Sequence, residues 1–490
     1  MFRLHRRIAG LSEVKPVYYD CCVNTCCCFT GELADELYCR FCNELRHNED
    51  GTPRKQFEYI PMTPRFSAYF LNPVVVQAMS YRSEYVMDVD NVYDVFGGSH
   101  YQNLLHKRVV VDGVEYEHTF FSDKRDIAMG FMLDGFQVFK RVRGGSASCW
   151  PLILVNFNLD FDIRTHLAHI IPLGIIPGPK SPQDLNSFLR PFIDECKLLA
   201  IGVRVFDAVA NENFDLHVYP ISTHGDMQAI KHSIYLKGHN AICPCRSCEI
   251  KAVRDTDFNR STYYVPLQQP KKPNTPSFTW DPEALPLRDE DRYSAQLAAI
   301  HAEPRIGRRK ELSQKFGING SSALCEIPSI LICSSFPHEW MHLFLENHCQ
   351  NLLLFWMGKY KDLDEGRENF RIPDAVWIVI GEETAASGST IPSAFGRRTP
   401  NITTERFNFT AEDWAFWFIF LAPHILKGRF AKEKYYTHFM KLNAIMKLCI
   451  KFSLTLADIR NIRSLTVEYV QEYERLLSFI QVNFVFLKLT

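Results

Sequence analysis

The pattern of apolar and polar residues is clearest between residues 128 and 226. "MGFMLDGFQVFK" and "WPLILVNFNL" are rich in aromatic and β-branched residues and predict strands, and "HLAHIIPLGII" predicts a third, closed by the turn "PGPKSP". A helix is predicted to follow, with Ser181 as its N-cap, Pro182 in its first turn and Asp184 completing a capping box. Leu185, Phe188, Leu189, Phe192, Ile193, Cys196 and Leu199 then recur at helical spacing, a stripe suited to packing on a sheet. Pro191 is expected to kink this helix. "FDLHVYPI" turns Phe214, Leu216 and Val218 to one side, as in a fourth strand. The predicted order is three strands, a helix and a strand.

Between 251 and 310 the chain becomes polar and proline-rich, with little periodicity of either kind, and reads as an insertion or linker. Beyond it, "PHEWMHLFLENHCQNLLLFWMGKY" has Met341, Phe344, Leu345, Leu352, Phe355 and Trp356 near helical spacing and predicts a strong helix. From about 400 onward the pattern is mostly helical, with capping boxes expected at Thr410 to Asp413 and Thr455 to Asp458.

Composition sets outer bounds. A chain of 490 residues that is 46% hydrophobic can bury a large core and should hold two to four folding units. Lysine and arginine total 55 against 56 acidic residues, so any attraction to nucleic acid must be local. The N-terminal "MFRLHRRIAGL" lacks the apolar run of a signal peptide, and Trp414 to Leu426 and Leu476 to Leu489 are too short to span a bilayer. The expectation is a soluble intracellular protein with no membrane partner. Its sixteen cysteines should then be reduced, and clustered thiols in that setting more often bind metal than pair as disulfides.

Strand, strand, strand, helix, strand and a later helix is the order of a ribonuclease H-like core in an α/β fold. Such a core carries acids on the first strand, after the fourth and on the later helix. Asp134 in "LDGFQVF", Asp226 in "HGDMQA" and Glu339 in "PHEWMH" stand at those points. Three carboxylates can hold two hard cations about 4 Å apart, which phosphodiester cleavage uses. Any three of 56 acids can be chosen to fit a pattern, so composition alone does not single these out. Asp134 is the best placed, since an acid amid apolar strand residues is costly unless used. Glu346, on the same helix face, and Asp126 in "RDI" are the reserves for the third and first positions.

From about residue 17 to about 475 the chain resembles fungal CACTA (En/Spm-type) transposases. The blocks that carry the resemblance are "YYDCCVNTCCCFTGEL", "FFSDKRDIAMGFMLDGFQVFKR", "WPLILVNFNL", "IIPGPKSPQDLNSFLRPFIDE", "GDMQAIKH", "GHNAICPCRSCEI", "FPHEWMHLFLEN" and "ASGSTIPSAFGRRTPNI". The resemblance implies a DDE-type catalytic triad at Asp134, Asp226 and Glu339 and catalytic Mg²⁺ or Mn²⁺. It also implies DNA partners, namely terminal inverted repeats and target DNA, and hence residence in the nucleus. The third acid is more usually aspartate in that family. Glutamate keeps the charge and adds a methylene of reach. Self-association into a homo-oligomer is left open.

Cys22-x3-Cys26, twelve residues, then Cys39-x2-Cys42 resembles a zinc ribbon, with Cys21, Cys27 and Cys28 competing as ligands. Cys245 and Cys248 form a second C-x2-C pair, at a place where the family carries one, and His239, Cys243 or His342 are the candidates to complete a zinc site there. The clusters "KRVRGG" (140–145), "RIGRRK" (305–310) and "FGRRTP" (395–400) are candidate phosphate contacts. "SGSTIPSAFGRR" has no chemical role assigned.

The expected division is 1–60 zinc-ribbon-like module, 61–125 connecting segment, 126–236 first part of the core, 237–330 insertion with the CxxC pair and Pro-rich linker, 331–360 helix closing the core, and 361–490 a mostly helical region. The competing expectation is a catalytically inactive, transposon-derived zinc protein that binds DNA or protein. It draws on a start only about sixteen residues before the first shared block and an end, "FIQVNFVFLKLT", outside the resemblance. A zinc hydrolase using Cys245, Cys248 and a histidine is weaker, because no H-x-E or HExxH signature accompanies the pair.

Overall fold

The computed structural model describes residues 14–137, 148–238, 241–254, 263–268, 279–360 and 369–477. The chain divides into two compact units, one formed by residues 1–88, 94–236 and 320–337, the other by 89–93, 237–319 and 338–490.

The first unit is built on a mixed sheet of strands β1 (Val17–Asp20), β2 (Gln56–Tyr59), β3 (Ile127–Leu133), β4 (Ser148–Asn156), β5 (Ile171–Ile176) and β6 (Val218–His224), in the order β1-β2-β5-β4-β3-β6. Strands β3, β4 and β5 form an antiparallel meander, and β6 lies parallel to β3. A parallel neighbour needs a crossover. It is supplied by helix α1 (Leu185–Ile201), whose seven predicted stripe residues are all buried. Phe192 stacks on Phe131 of β3 at 4.5 Å, and Phe188 meets Phe57 of β2 edge-on at 5.6 Å.

Two local expectations are corrected. The N-cap of α1 is Asp184, not Ser181, because the Asp184 carboxylate accepts from the backbone N–H of Ser187. "FDLHVYPI" is not one strand. Phe214 and Leu216 belong to Glu212–Leu216, which pairs with Val203–Asp207 in a hairpin, and β6 starts afresh at Val218.

The stretch read as connecting, 61–125, contributes to the core. Phe96, Tyr101, Leu104, Val109, Val111, Phe120 and Phe121 pack with Ala128, Val155, Tyr219 and Ile221 of the sheet. The cysteine-rich N-terminus is joined to the sheet through β2, where Tyr59 pairs with Gly174 of β5. After the excursion through 237–319 the chain returns to β6. There the N–H of Thr223 donates to Ser335 O at 2.7 Å and the Ser329 hydroxyl donates to Pro220 O at 2.6 Å.

In the second unit Phe344, Leu345, Leu352, Phe355 and Trp356 enter one buried cluster with Trp377, Trp417, Phe418 and Phe439. The helix that carries the first of these is π-helical over Met341–Cys349 and continues as Gln350–Trp356. Both expected capping boxes form, reciprocally, at Thr410/Asp413 and Thr455/Asp458. The polar stretch before 310 holds two helices that periodicity does not betray, Glu290–Ala302 and Ile306–Phe316. No helix among the described residues is long and apolar enough to cross a membrane.

Candidate functional site

Strands β3 and β6 pair in register from Ile127 with Val218 to Met132 with His224. Two residues further along each chain stand Asp134 and Asp226, at matching positions past the carboxyl ends of strands that neighbour one another at about 4.8 Å. Both are half-buried. The glycines beside them have a physical reason. A Cβ on Gly225 would lie 2.3 Å from the carbonyl oxygen of Leu133, and one on Gly135 would lie 2.7 Å from the Trp150 ring. Each glycine allows its acid to leave the strand against a neighbour that leaves no space for a side chain.

The Asp134 carboxylate accepts from the N–H of Gly135 at 2.7 Å. The Asp226 carboxylate is the N-cap of helix α2 (Met227–Ser233), accepting from the N–H of Ala229. Trp150, which covers Gly135, also meets the His232 ring of α2 edge-on at 6.2 Å. Burial and the neighbouring Lys231 hold the His232 imidazole below its usual range. Sequence reading assigned nothing to Trp150 and His232. The signal available was the placement of a bulky ring opposite "DG" on the paired strand.

Asp126 has a different character. It stands just before β3, at the end of that strand opposite to Asp134, and is fully buried. Its carboxylate accepts from Asp123 N–H at 3.1 Å and bonds His217 Nδ1 at 2.9 Å, and its carbonyl accepts from Arg82 and Asn158. Asp126 is thus fully occupied as a structural anchor, which removes it as a substitute for Asp134.

Glu339 lies in the second unit, at the start of the π-helical segment. Its carboxylate accepts from the N–H groups of Met341 at 2.9 Å and His342 at 2.7 Å and bonds His342 Nδ1. The other ring nitrogen of His342 is 3.6 Å from Glu346. The two candidate acids of this helix therefore share His342.

Cys22, Cys26, Cys39 and Cys42 bring one sulfur each within 4.8 Å of one another. The first three are buried. Zinc–thiolate bonds of about 2.3 Å in a tetrahedron put sulfurs about 3.8 Å apart, so four soft donors at this spacing fit structural zinc. Of the competitors, Cys21 and Cys28 pair across a β-bridge, and Cys27 approaches Cys39 at 3.8 Å without joining the quartet. Burial pushes the Cys22 and Cys26 thiols up. At Cys42 burial acts in the same direction, but hydrogen bonds from Asn24 and the backbone prevail and draw it down to about 7.

The quartet is tied to the start of α1. Cys26 O accepts from the N–H groups of Gln183 and Asp184 at 3.0 and 2.9 Å, and the Cys28 N–H donates to the Ser187 hydroxyl at 3.0 Å.

Cys245 and Cys248 are both buried, and a hydrogen bond between them holds the Cys245 thiol down to about 6 while raising that of Cys248. Among the described residues no third metal-ligating side chain joins them. Cys243 bonds Glu249 O at 3.6 Å, His342 is engaged by Glu339 and Glu346, and His239 lies outside the described residues. Of the basic clusters, "RIGRRK" begins the helix Ile306–Phe316 with its cations exposed, Arg397 of "FGRRTP" pairs with buried Asp413, and "KRVRGG" falls outside the described residues.

A mixed α/β unit with two carboxylates set side by side at parallel strand ends, and a four-thiol cluster braced against its main helix, defines the site. Residues 111–268 match the family described as Transposase family tnp2. That segment takes in Asp134, Asp226, Cys245 and Cys248, ends before Glu339, and supports a transposase role. No curated protein matches the chain.

Proposed function

We propose that the chain is a DDE transposase of the CACTA type, a divalent-metal-dependent endonuclease and strand transferase acting at transposon ends. The observation that carries this reading is the matched position of Asp134 and Asp226 past adjacent parallel strands, within the segment similar to a transposase family. The order β5-β4-β3-β6, with α1 crossing between β5 and β6, supports a ribonuclease H-like core. Glu339 is the third acid in this proposal, with Glu346 in reserve.

The donors are hard carboxylate oxygens, which suit Mg²⁺ or Mn²⁺. When bound, two such ions activate an attacking oxygen and stabilise a leaving one. The chain's own residues do the positioning. Gly135 and Gly225 let the two backbones close on their neighbours, and the Ala229 N–H commits one Asp226 oxygen, fixing the carboxylate. In the reaction, water adds to the phosphorus at the element's end and the P–O3′ bond breaks. The freed 3′ hydroxyl then attacks a target phosphodiester, exchanging one P–O bond for another. Nuclear residence follows from such a substrate.

One observation favours a second reading, a zinc protein that binds without cutting. Asp226 and Glu339 both cap helices, a duty that needs the acid whether or not the chain cuts DNA. The deciding experiment is a nicking assay on DNA with Mg²⁺ or Mn²⁺, comparing the unaltered chain with Asp134→Asn. Metal-dependent nicking lost in the variant supports the enzyme. A gel shift without nicking in either protein supports the binder.

A further inference from the structure

Trp150 touches both acid-bearing segments, yet the acid chemistry leaves it unused. Leu133 pairs with Leu152 and Phe136 with Cys149, so the residues between them, Asp134 and Gly135, stand opposite Pro151 and Trp150 of β4. The N–H of Phe157 donates to Ala128 O, and from there every second pair of this antiparallel ladder exchanges hydrogen bonds, which makes Asp134 and Pro151 such a pair. Pro151 has no N–H to give, so the ladder lets go at Asp134.

One position on, the Trp150 ring takes the room that a side chain at Gly135 would need. A Cβ there would lie 2.7 Å from Cε2, 2.8 Å from Cζ2 and 3.0 Å from Nε1. The same ring meets His232 of α2 edge-on, at 6.2 Å and 88°. That helix is capped by Asp226 and is seven residues long, about two turns, so a displacement at His232 is carried to the cap. One rigid side chain thus stands between the turn carrying Asp134 and the helix carrying Asp226. Trp150 is only 5% exposed, and among the described residues its Nε1–H has no acceptor. A buried donor left unpaired is a cost that a phenyl ring would not carry, so what indole supplies here is reach and not a bond.

We infer that Trp150 is a positioning residue whose ring fixes the separation of the Asp134 turn from the Asp226 cap, and with it the grip of the two carboxylates on a divalent cation. The inference rests on the metal reading of these acids given above. It adds that their spacing is set from β4, by a side chain with no ligand atom to offer.

The test measures Mn²⁺ binding to the full chain from the loss of the free ion's paramagnetic resonance signal, with the binding that Asp134→Asn removes taken as the site. Trp150→Ala should weaken that binding by about 10- to 100-fold, the scale for removing a partner that orients a ligand, and Trp150→Phe should recover most of it. Gly135→Ala presses a methyl on the same ring and should weaken the metal as well. Added to Trp150→Ala it should cost little more, because the two changes share one contact. Leu152→Ala is the control for packing. It opens a cavity at a fully buried position on the same strand, and should lower the melting temperature while leaving the Mn²⁺ affinity unchanged.

Ordinary Mn²⁺ affinity in Trp150→Ala, or a loss in Leu152→Ala as large as that in Trp150→Ala, overturns the positioning role. Should Trp150→Ala fail to fold, unaltered Mn²⁺ affinity in Gly135→Ala does the same. The two proposals fail in different ways. An unaltered chain with no Mn²⁺ binding that Asp134→Asn removes sinks the metal reading of the acids and this inference with it, whereas the affinity of Trp150→Ala bears on the positioning alone.

Discussion

Strands β3 and β6 lie side by side in parallel, and each end of the pair presents a polar couple in matching positions, Asp126 with His217 at the entry and Asp134 with Asp226 at the exit. The entry couple is sealed, with its carboxylate bonded to an imidazole and a backbone N–H inside the core. The exit couple is half-buried, flanked by glycines, and held by backbone donors at its own turn and helix cap. The same residue type on the same strand thus serves two ends differently. Full burial with fixed partners makes an anchor, whereas partial exposure keeps a carboxylate within reach of ions and phosphates.

Striking both ends at once should give the largest effect. Chelating zinc, or Cys39→Ser, removes the closed thiolate site that braces the start of α1, and α1 covers both β3 and its neighbours. Apparent zinc contributions of about 10–16 kcal/mol in small domains exceed what such a module has to spare. The expectation is loss of bound metal together with early melting of the first unit, followed by calorimetry and metal analysis. A chain that melts unchanged without zinc would show that the quartet holds no structural metal.

Next comes the exit couple alone. Asp134→Asn and Asp226→Asn should each lower Mg²⁺-dependent nicking by roughly 10²–10³-fold, the scale for deleting one preorganised group at a reacting centre. Asp134→Asn should leave thermal stability nearly unaltered. The mirror experiment is Asp126→Ala, which strands His217 and the Asp123 N–H in the core and should cost about 3 kcal/mol in a denaturant titration. Specific nicking by the fraction that stays folded should survive. If Asp126→Ala proved as stable as the parent, the contrast between the two ends would fail.

The finest adjustment is Gly225→Ala. Its methyl would meet the Leu133 carbonyl at a distance no real contact tolerates, so the end of β6 must shift by a fraction of an ångström. A stability loss of about 1–3 kcal/mol is expected. Nicking should fall further than the melting temperature accounts for, because the displaced residue is the neighbour of Asp226.

Much of this arrangement is legible in the chain. The stripe from Leu185 to Leu199 reports its own burial because helix period and core face coincide, and the spacing points to the four thiols of the quartet while leaving Cys21, Cys27 and Cys28 as rivals that only the fold sets aside. What stays hidden has local physical causes. Ser181 and Asp184 are both competent caps three residues apart, and the choice falls to Asp184 because the Cys26 carbonyl, remote in sequence, takes the N–H groups of Gln183 and Asp184. The helices at 290–302 and 306–316 lack an apolar stripe, so only the Asp289 cap, which accepts from Arg292 at 2.8 Å, announced the first of them. Phe214, Leu216 and Val218 alternate as one strand would, yet a hairpin partner upstream claims the first two. Asp126 and Asp134 differ by partners that no spacing rule reveals.

The return of the chain at 320–337 also bears on how this architecture can change over generations. Because the cost of closing a loop rises only by about 0.6 kcal/mol for each doubling of its length, the sheet is nearly indifferent to how much polypeptide hangs between residues 236 and 320. A single residue at the re-entry point is another matter. The Ser335 carbonyl and the Ser329 hydroxyl clip the returning segment to β6 a few positions before Asp226, so the sheet depends on this clasp and not on the length of chain that precedes it.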